Sequence, residues 1–269
     1  IAPLMTDTFS SINLAQELTL ALEMADAGDA VAHAYFEKQN FTLSRKADHS
    51  EVTQADRETE TAIVDFITRL RPTHAIYGEE HGHSGNADSP WKWVIDPIDG
   101  TSNFVRGVPV WATLIALVHD IEGPVLGVVS APALHQRWWA ARGLGAFANG
   151  REIKVSEVAT IAEAQISITF NTGWEKIGGT ANLIALQERA YRARGYGDFW
   201  QHMLVAQGSV DIAIDAIGLS PYDNAAVQAI VEIAGGRHSD RFGIRDYTQN
   251  SAISSNGRLH DEVITSLKI

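Results

Sequence analysis

The stretch Trp93-Val94-Ile95-Asp96-Pro97-Ile98-Asp99-Gly100-Thr101 constrains this chain most. An apolar run ends on an acid, a proline, a second acid, a glycine and a hydroxyl. That order reads as a strand delivering two carboxylates and a threonine to a turn. Two acids held together at the end of an apolar strand repel each other unless a cation neutralises them. Carboxylate and carbonyl oxygens packed this closely suit a hard divalent cation such as Mg²⁺. An ordinary turn built from Asp, Pro and Gly is the plainer alternative.

The surrounding pattern gives that turn a frame. Leu14, Leu18, Ala21, Leu22, Ala25, Ala32 and Phe36 follow helical spacing, which predicts a long helix from about Ser11 to about Phe36. Thr53-Gln54-Ala55-Asp56 resembles a capping box and opens a second helix, which Pro72 stops. Short runs then read as strands: Ala75 to Tyr77, the run into Asp96, Val110 to Val118, Val125 to Ala131 and Arg137 to Ala141. A polar loop is expected between the first two, and Asn149-Gly150 is a hairpin signal. The first half, residues 1–150, therefore reads as two helices and a mostly antiparallel sheet. The second half, 151–269, alternates. Strands are expected over Ala164 to Phe170, Tyr191 to Gly195, Val210 to Ile214 and Ser251 to Ser254. Helices are expected over Thr180 to Arg189, Phe199 to Gln207, Pro221 to Ala234 and Leu259 to Leu267. Such alternation marks an α/β half, with the boundary near Gly150 to Ser156.

Composition narrows the partners. The net charge of −12 argues against nucleic acid or an anionic membrane as the main partner. It leaves an anionic substrate open, because a bound metal reverses the local field. With no cysteine, disulfide and thiolate chemistry are excluded, and a reducing cytoplasm is compatible. The start lacks the regions of a signal peptide, and Met5 reads as the natural first residue after four added ones. A cytoplasmic location is the expectation.

Other acids can join the first two. Glu79 follows a strand in a turn begun by Gly78, and Asp223 sits in the first turn of a helix. Four acids at strand ends and a helix start can converge on one cleft, and an all-carboxylate set favours Mg²⁺ or Mn²⁺ over Zn²⁺. His81 and His83 alone do not make a zinc site. His260-Asp261-Glu262 reads as a polar helix start. If a helix begins after Asp99, its N–H groups at Gly100 and Thr101 can hold a phosphate, and the Thr101 hydroxyl can position a water. The chain contains neither a P-loop nor a nucleophile elbow.

These residues together resemble a known family. Gly78-Glu79-Glu80, then Asp96-Pro97-Ile98-Asp99-Gly100-Thr101, then Tyr222-Asp223-Asn224-Ala225-Ala226 with Glu232-Ile233-Ala234-Gly235-Gly236, are similar to the inositol monophosphatase superfamily. Lys46-Ala47-Asp48 and Val52 to Asp56 fit its N-terminal signature. Within it, Asn103 to Ala112, Ser130 to Leu134, Arg137 to Ala141, Tyr196 to Phe199 and Asn256 to Glu262 resemble the actinobacterial histidinol-phosphate phosphatases most.

The resemblance implies a layered αβαβα sugar-phosphatase fold, usually a homodimer, using two or three Mg²⁺. It implies Glu79, Asp96, the Ile98 carbonyl, Asp99 and Asp223 as metal ligands, and Asp48 in the outer shell of a third ion. Thr101 with Glu79 would orient and deprotonate the attacking water, and the Gly100 and Thr101 amides would hold the phosphate. Two positions depart from the family. Tyr222 stands where Trp is usual, and Ala216 stands where a Glu reaches for the substrate, with Asp215 beside it. Asp198, Asp215 and Tyr222 are the candidate substrate contacts. The expected activity is a Mg²⁺-dependent phosphomonoesterase acting on histidinol phosphate. The alternatives are an inositol monophosphatase, another sugar-phosphate phosphatase, or a non-catalytic phosphate-ester-binding protein.

Overall fold

The computed structural model of the chain describes residues 12–45 and 51–268. Asp48, Met5 and the Ser11 start of the first helix lie outside them. Asn13 caps α1 (Leu14–Lys38), its side-chain oxygen accepting the Ala15 and Gln16 amides at 3.1 and 3.3 Å. Satisfying those first N–H groups sets the start of the helix at Leu14. A short antiparallel pair follows, β1 (Leu43–Arg45) with β2 (Glu51–Thr53). α2 (Gln54–Leu70) opens on the expected capping box, in which Asp56 accepts the Thr53 amide at 2.8 Å. Arg71 ends α2 and grips the buried Glu17 of α1 through both Nε and Nη2, which ties the two helices together.

An eight-stranded sheet carries the motif residues. Its strands are β3 (Ala75–Gly78), β4 (Gly82–Gly85), β5 (Trp91–Asp99), β6 (Ala112–His119), β7 (Gly123–Ala131), β8 (Gln136–Ala141), β9 (Gly145–Ala148) and β10 (Arg151–Glu152). A short helix, α3 (Thr101–Val105), leaves the end of β5. The spatial order is β10-β9-β8-β7-β6-β5-β3-β4, and only β3 and β5 run parallel. β4 corrects the sequence reading, which expected a loop: Gly82-His83-Ser84-Gly85 has no apolar alternation but pairs as an edge strand with β3. β9 and β10 meet at Asn149-Gly150, both with positive φ (47° and 79°), the turn that the dipeptide signalled. β6 is buried along its whole length because both faces are covered. Leu114, Ala116 and Val118 enter one core and Ile115 and Leu117 the other, the two-residue period of a strand.

The second half supplies β11 (Gln165–Ile168), α4 (Thr172–Lys176), α5 (Thr180–Arg189), β12 (Arg192–Arg194), α6 (Asp198–Ala206) and β13 (Ile212–Ile214). It continues with α7 (Pro221–Ile233), β14 (Arg237–Ser239), β15 (Ile253–Ser255) and α8 (His260–Ser266). The strands form a five-stranded sheet in the order β12-β11-β13-β15-β14. Ile166, Ile212, Ile214 and Ile253 pack on one face with Leu183 of α5 and Val263 of α8. The opposite face turns Ser167 and Ser254 toward side chains of α6. α6 and α7 therefore lie between the two sheets, with α1 and α2 outside one and α5 and α8 outside the other. This is the expected αβαβα layering. His260 departs from expectation: it starts α8 as predicted but is fully buried, bonded to the hydroxyls of Ser239 and Ser255. Burial pushes its pKa down to about 4.

Candidate active site

The central acids come from two layers. β5 carries Asp96 and Asp99, and the pairing with β6 shifts register between them. A bulge of this kind turns consecutive side chains toward a common point. Asp96 is 2% exposed, and its Oδ1 accepts the Ile98 amide at 3.0 Å. Gly100 then takes φ +87° and caps α3; a Cβ there would stand 2.9 Å from the Val110 carbonyl oxygen, so only glycine fits. Asp99 Oδ2 accepts the Phe199 amide in the first turn of α6 at 2.7 Å. Asp223 belongs to the capping box of α7, its Oδ2 accepting the Ser220 amide at 2.6 Å. One oxygen each of Asp96, Asp99 and Asp223 lies within 4.8 Å of the other two. An all-oxygen group of this size fits a hard divalent cation.

The electrostatics agree with that donor chemistry. Burial, then Glu79, Asp99 and Asp223, raise the pKa of Asp96 well above the carboxylate range. Burial, then Asp198 and Asp223, do the same for Asp99. Asp223 is pushed up to about 7, first by burial and against the Ser220 amide. Groups that mutually oppose ionisation in this way gain most from a shared counter-charge.

Glu79 is brought to the same place by a turn that has its own support. Its charge helps raise the pKa of Asp96, and its amide donates to the Ile95 carbonyl at 3.2 Å. The fully buried Glu60 of α2 accepts the Glu80 and His81 amides at 2.7 and 2.9 Å. A Cβ on Gly78 would stand 1.9 Å from Glu60 Oε1, which explains the glycine before Glu79. Nothing in the sequence separates Glu60 from the other acids of α2, so its role was not readable there. His81 contacts Thr61 at 3.0 Å, and His83 stacks on Tyr77 at 4.2 Å.

The Thr101 hydroxyl lies 3.1 Å from the Ile98 carbonyl oxygen and 3.2 Å from Asp56 Oδ1, and donates toward both. The resemblance pairs Thr101 with Glu79, and it places Asp56 in the N-terminal signature without giving it a role beside Thr101. Asp56 caps α2 and also meets Thr101, since its Oδ2 holds Thr53 while its Oδ1 faces Thr101. Burial raises its pKa to about 6, against the Thr53 bonds.

The candidate substrate contacts lie beside this group. Asp198 opens α6 with φ +46°, a strained conformation for a residue with a side chain. Its Oδ2 accepts the Asn103 amide of α3 at 3.0 Å. Burial and then Asp215 raise its pKa to about 6. Asp215, at the end of β13, is buried and bonded to His202 at 2.9 Å, and its charge is felt at Asp99, Asp198 and Asp223. Tyr222 is half-buried, its ring 5.9 Å from that of Tyr77, and burial raises its pKa. Asn103 carried no signal beyond opening the Asn103 to Ala112 stretch, and His202 none beyond lying in the expected helix from Phe199 to Gln207.

Known proteins resemble this chain over nearly its whole length. The model of the inositol monophosphatase family matches residues 13–269. The histidinol-phosphatase of Streptomyces coelicolor is 43% identical over 256 residues, covering 92% of this chain and 95% of that one. The histidinol-phosphatase of Mycobacterium tuberculosis is 44% identical over 256 residues, covering 93% and 97%. Among solved structures, the extragenic suppressor protein suhB of Bartonella henselae superposes with a TM-score of 0.85 at 28% identity, covering 94% of this chain and 98% of that one. The motifs, the layered fold and these matches cover nearly the whole chain, which belongs to the inositol monophosphatase family of metal-dependent phosphatases.

Proposed function

We propose that this chain is a Mg²⁺-dependent phosphomonoesterase whose substrate is a small phosphate ester with a cationic alcohol, histidinol phosphate before others. The observation that carries this reading is the buried acid group of Asp96, Asp99 and Asp223 with two further acids, Asp198 and Asp215, beside it. The first three suit metal. The other two exceed what a metal site needs, and an ammonium or imidazolium on the leaving alcohol would balance them. The relatives named as histidinol-phosphatases support the same choice.

Glu79, Asp96, the Ile98 carbonyl, Asp99 and Asp223 would hold two or three Mg²⁺, or Mn²⁺ in their place, with Asp48 in the outer shell of a third ion. When bound, such ions lower the pKa of water and offset the charge of the phosphoryl group. The chain's own groups do the rest. Thr101 orients the attacking water, and Glu79 takes its proton. Asp56 and the Ile98 carbonyl are the acceptors that confine the Thr101 hydroxyl. The amides of Gly100 and Thr101 bind phosphate oxygens. Asp198 and Asp215 bind the cation of the leaving alcohol, and Tyr222 forms part of the wall. We also propose a homodimer, a cytoplasmic location, and a division into halves near Gly150 to Ser156.

A phosphate-release screen tests this. Histidinol phosphate, inositol phosphates and fructose bisphosphate are offered with Mg²⁺, with and without EDTA. Turnover of histidinol phosphate that EDTA abolishes is expected. No turnover of any ester removes the enzymatic reading, and preference for inositol phosphate removes the role of the surplus acids.

A further inference from the structure

His202 has no role in the reaction outlined above. It lies on α6, 2% exposed, and both ring nitrogens have partners. Nε2 is 2.9 Å from Asp215 Oδ2, and Nδ1 is 2.8 Å from Ser254 Oγ. Ser254 Oγ is in turn 3.0 Å from Nδ1 of His238. A continuous chain of four buried groups therefore runs from the candidate site across β15 to β14.

Counting protons fixes its direction at one end. A carboxylate only accepts, and Ser254 has a single O–H. His238 is neutral, because burial and the neighbouring His202 and His260 hold its pKa well below the usual value. Two donor orders then satisfy every member. In one, His238 donates to Ser254, Ser254 donates to His202 Nδ1, and His202 donates from Nε2. In the other, a doubly protonated His202 donates from both nitrogens and Ser254 donates to His238. In both orders the Nε2–H of His202 points at Asp215. The other carboxylate oxygen, Oδ1, accepts the Ala216 amide at 2.7 Å. Asp215 is thus pinned through both oxygens while each keeps lone-pair capacity for a ligand.

We propose that His202 is a positioning residue that holds Asp215 against the leaving-alcohol side of the site and so sets its preference for cationic phosphomonoesters. This rests on the phosphomonoesterase reading.

The test compares histidinol phosphate with glycerol 2-phosphate, whose alcohol is neutral, on the full chain with Mg²⁺. In H202F, KM for histidinol phosphate should rise about tenfold or more, with a clearly smaller change for glycerol 2-phosphate. H202Q, whose amide can still donate to Asp215, should recover most of the preference. S254A removes only the middle link and should give a smaller shift of the same sign; with H202Q it carries the test if H202F does not fold. Equal losses on both esters, an unchanged ratio, or no recovery in H202Q overturns the proposal while leaving the phosphatase reading standing. A wild-type chain that turns over neither ester overturns that reading, and the role of His202 with it.

Discussion

Asp56 and Thr101 meet through a 3.2 Å hydrogen bond although they lie 45 residues apart. The same carboxyl group that caps α2 therefore shares with the Ile98 carbonyl, 3.1 Å away, the hydroxyl after the Asp-Pro-Ile-Asp-Gly turn. Thr101→Val keeps the branched shape and removes the O–H. Its kcat should fall by about 10²–10⁴-fold, the range of a positioned proton-transfer group. Steady-state phosphate release, with a melting curve to confirm folding, measures this. A valine variant with wild-type kcat would take Thr101 out of water activation.

Asp96→Asn should separate stability from activity. An amide keeps the bond to the Ile98 amide through Oδ1 and removes one buried charge from the group. In EDTA at pH 8 the variant should melt above wild type, at about 2–4 °C per kcal/mol for a chain of this size. The sign follows from the raised pKa values. Below about pH 3, beneath the ordinary Asp pKa of about 3.9, the carboxyls are protonated in folded and unfolded chains alike, so the repulsion costs nothing. As pH rises from there through about 7, where burial has pushed the Asp223 pKa, the unfolded chain ionises first and stability falls. The advantage of the variant should therefore shrink as pH drops. Mg²⁺ should raise the melting temperature of wild type far more than that of the variant, and activity should be abolished. A metal-free variant less stable than wild type at pH 8 would contradict the repulsion argument.

Gly78→Ala should disable the Glu79 turn. The added Cβ would fall 1.9 Å from Glu60 Oε1, and Glu60 is buried with two backbone amides on its carboxylate. Either the turn or Glu60 must move. Glu60→Gln leaves one of those amides without a full acceptor, at a cost of about 1–3 kcal/mol. Both variants should show weaker Mg²⁺ activation, read as a rise in the half-saturating Mg²⁺ concentration. Unchanged Mg²⁺ titrations would mean that Glu79 does not depend on this support.

Asp198 should make substrate affinity pH-dependent. Burial and Asp215 lift its pKa to about 6, so it is protonated below that pH and anionic above it. KM for histidinol phosphate should therefore fall as pH rises from about 5 to about 7. Asp198→Asn should raise KM and flatten that dependence. A variant with the wild-type pH profile would assign the titration to another group.

The sequence was informative where chemistry is concentrated in short motifs. The capping box at Thr53, the strand into Asp96, the Asn149-Gly150 hairpin and the helix from Pro221 are all local patterns, and each formed within a few residues of its expected place. β4 was missed because an edge strand of glycine, histidine and serine has no apolar face to betray it. Glu60, Asn103 and His202 were missed for a different reason. Each acts by touching a residue from a distant segment, and such contacts have no period in the sequence. Asp56 was read halfway: its role in the helix cap is local and visible, while its bond to Thr101 exists only once α2 has docked on the sheet.

The placement of α7 between the two sheets bears on how such an enzyme is made. Asp96 and Asp99 leave the ribosome more than a hundred residues before Asp223. A nascent chain that has completed only the eight-stranded sheet holds two of the three central carboxylates and has nothing to hold the third. On the ligand set proposed above, any ion that needs Asp223 would be captured only once the sandwiched helix is seated, which would make complete metal loading a late event in maturation and a natural reporter of correctly assembled molecules.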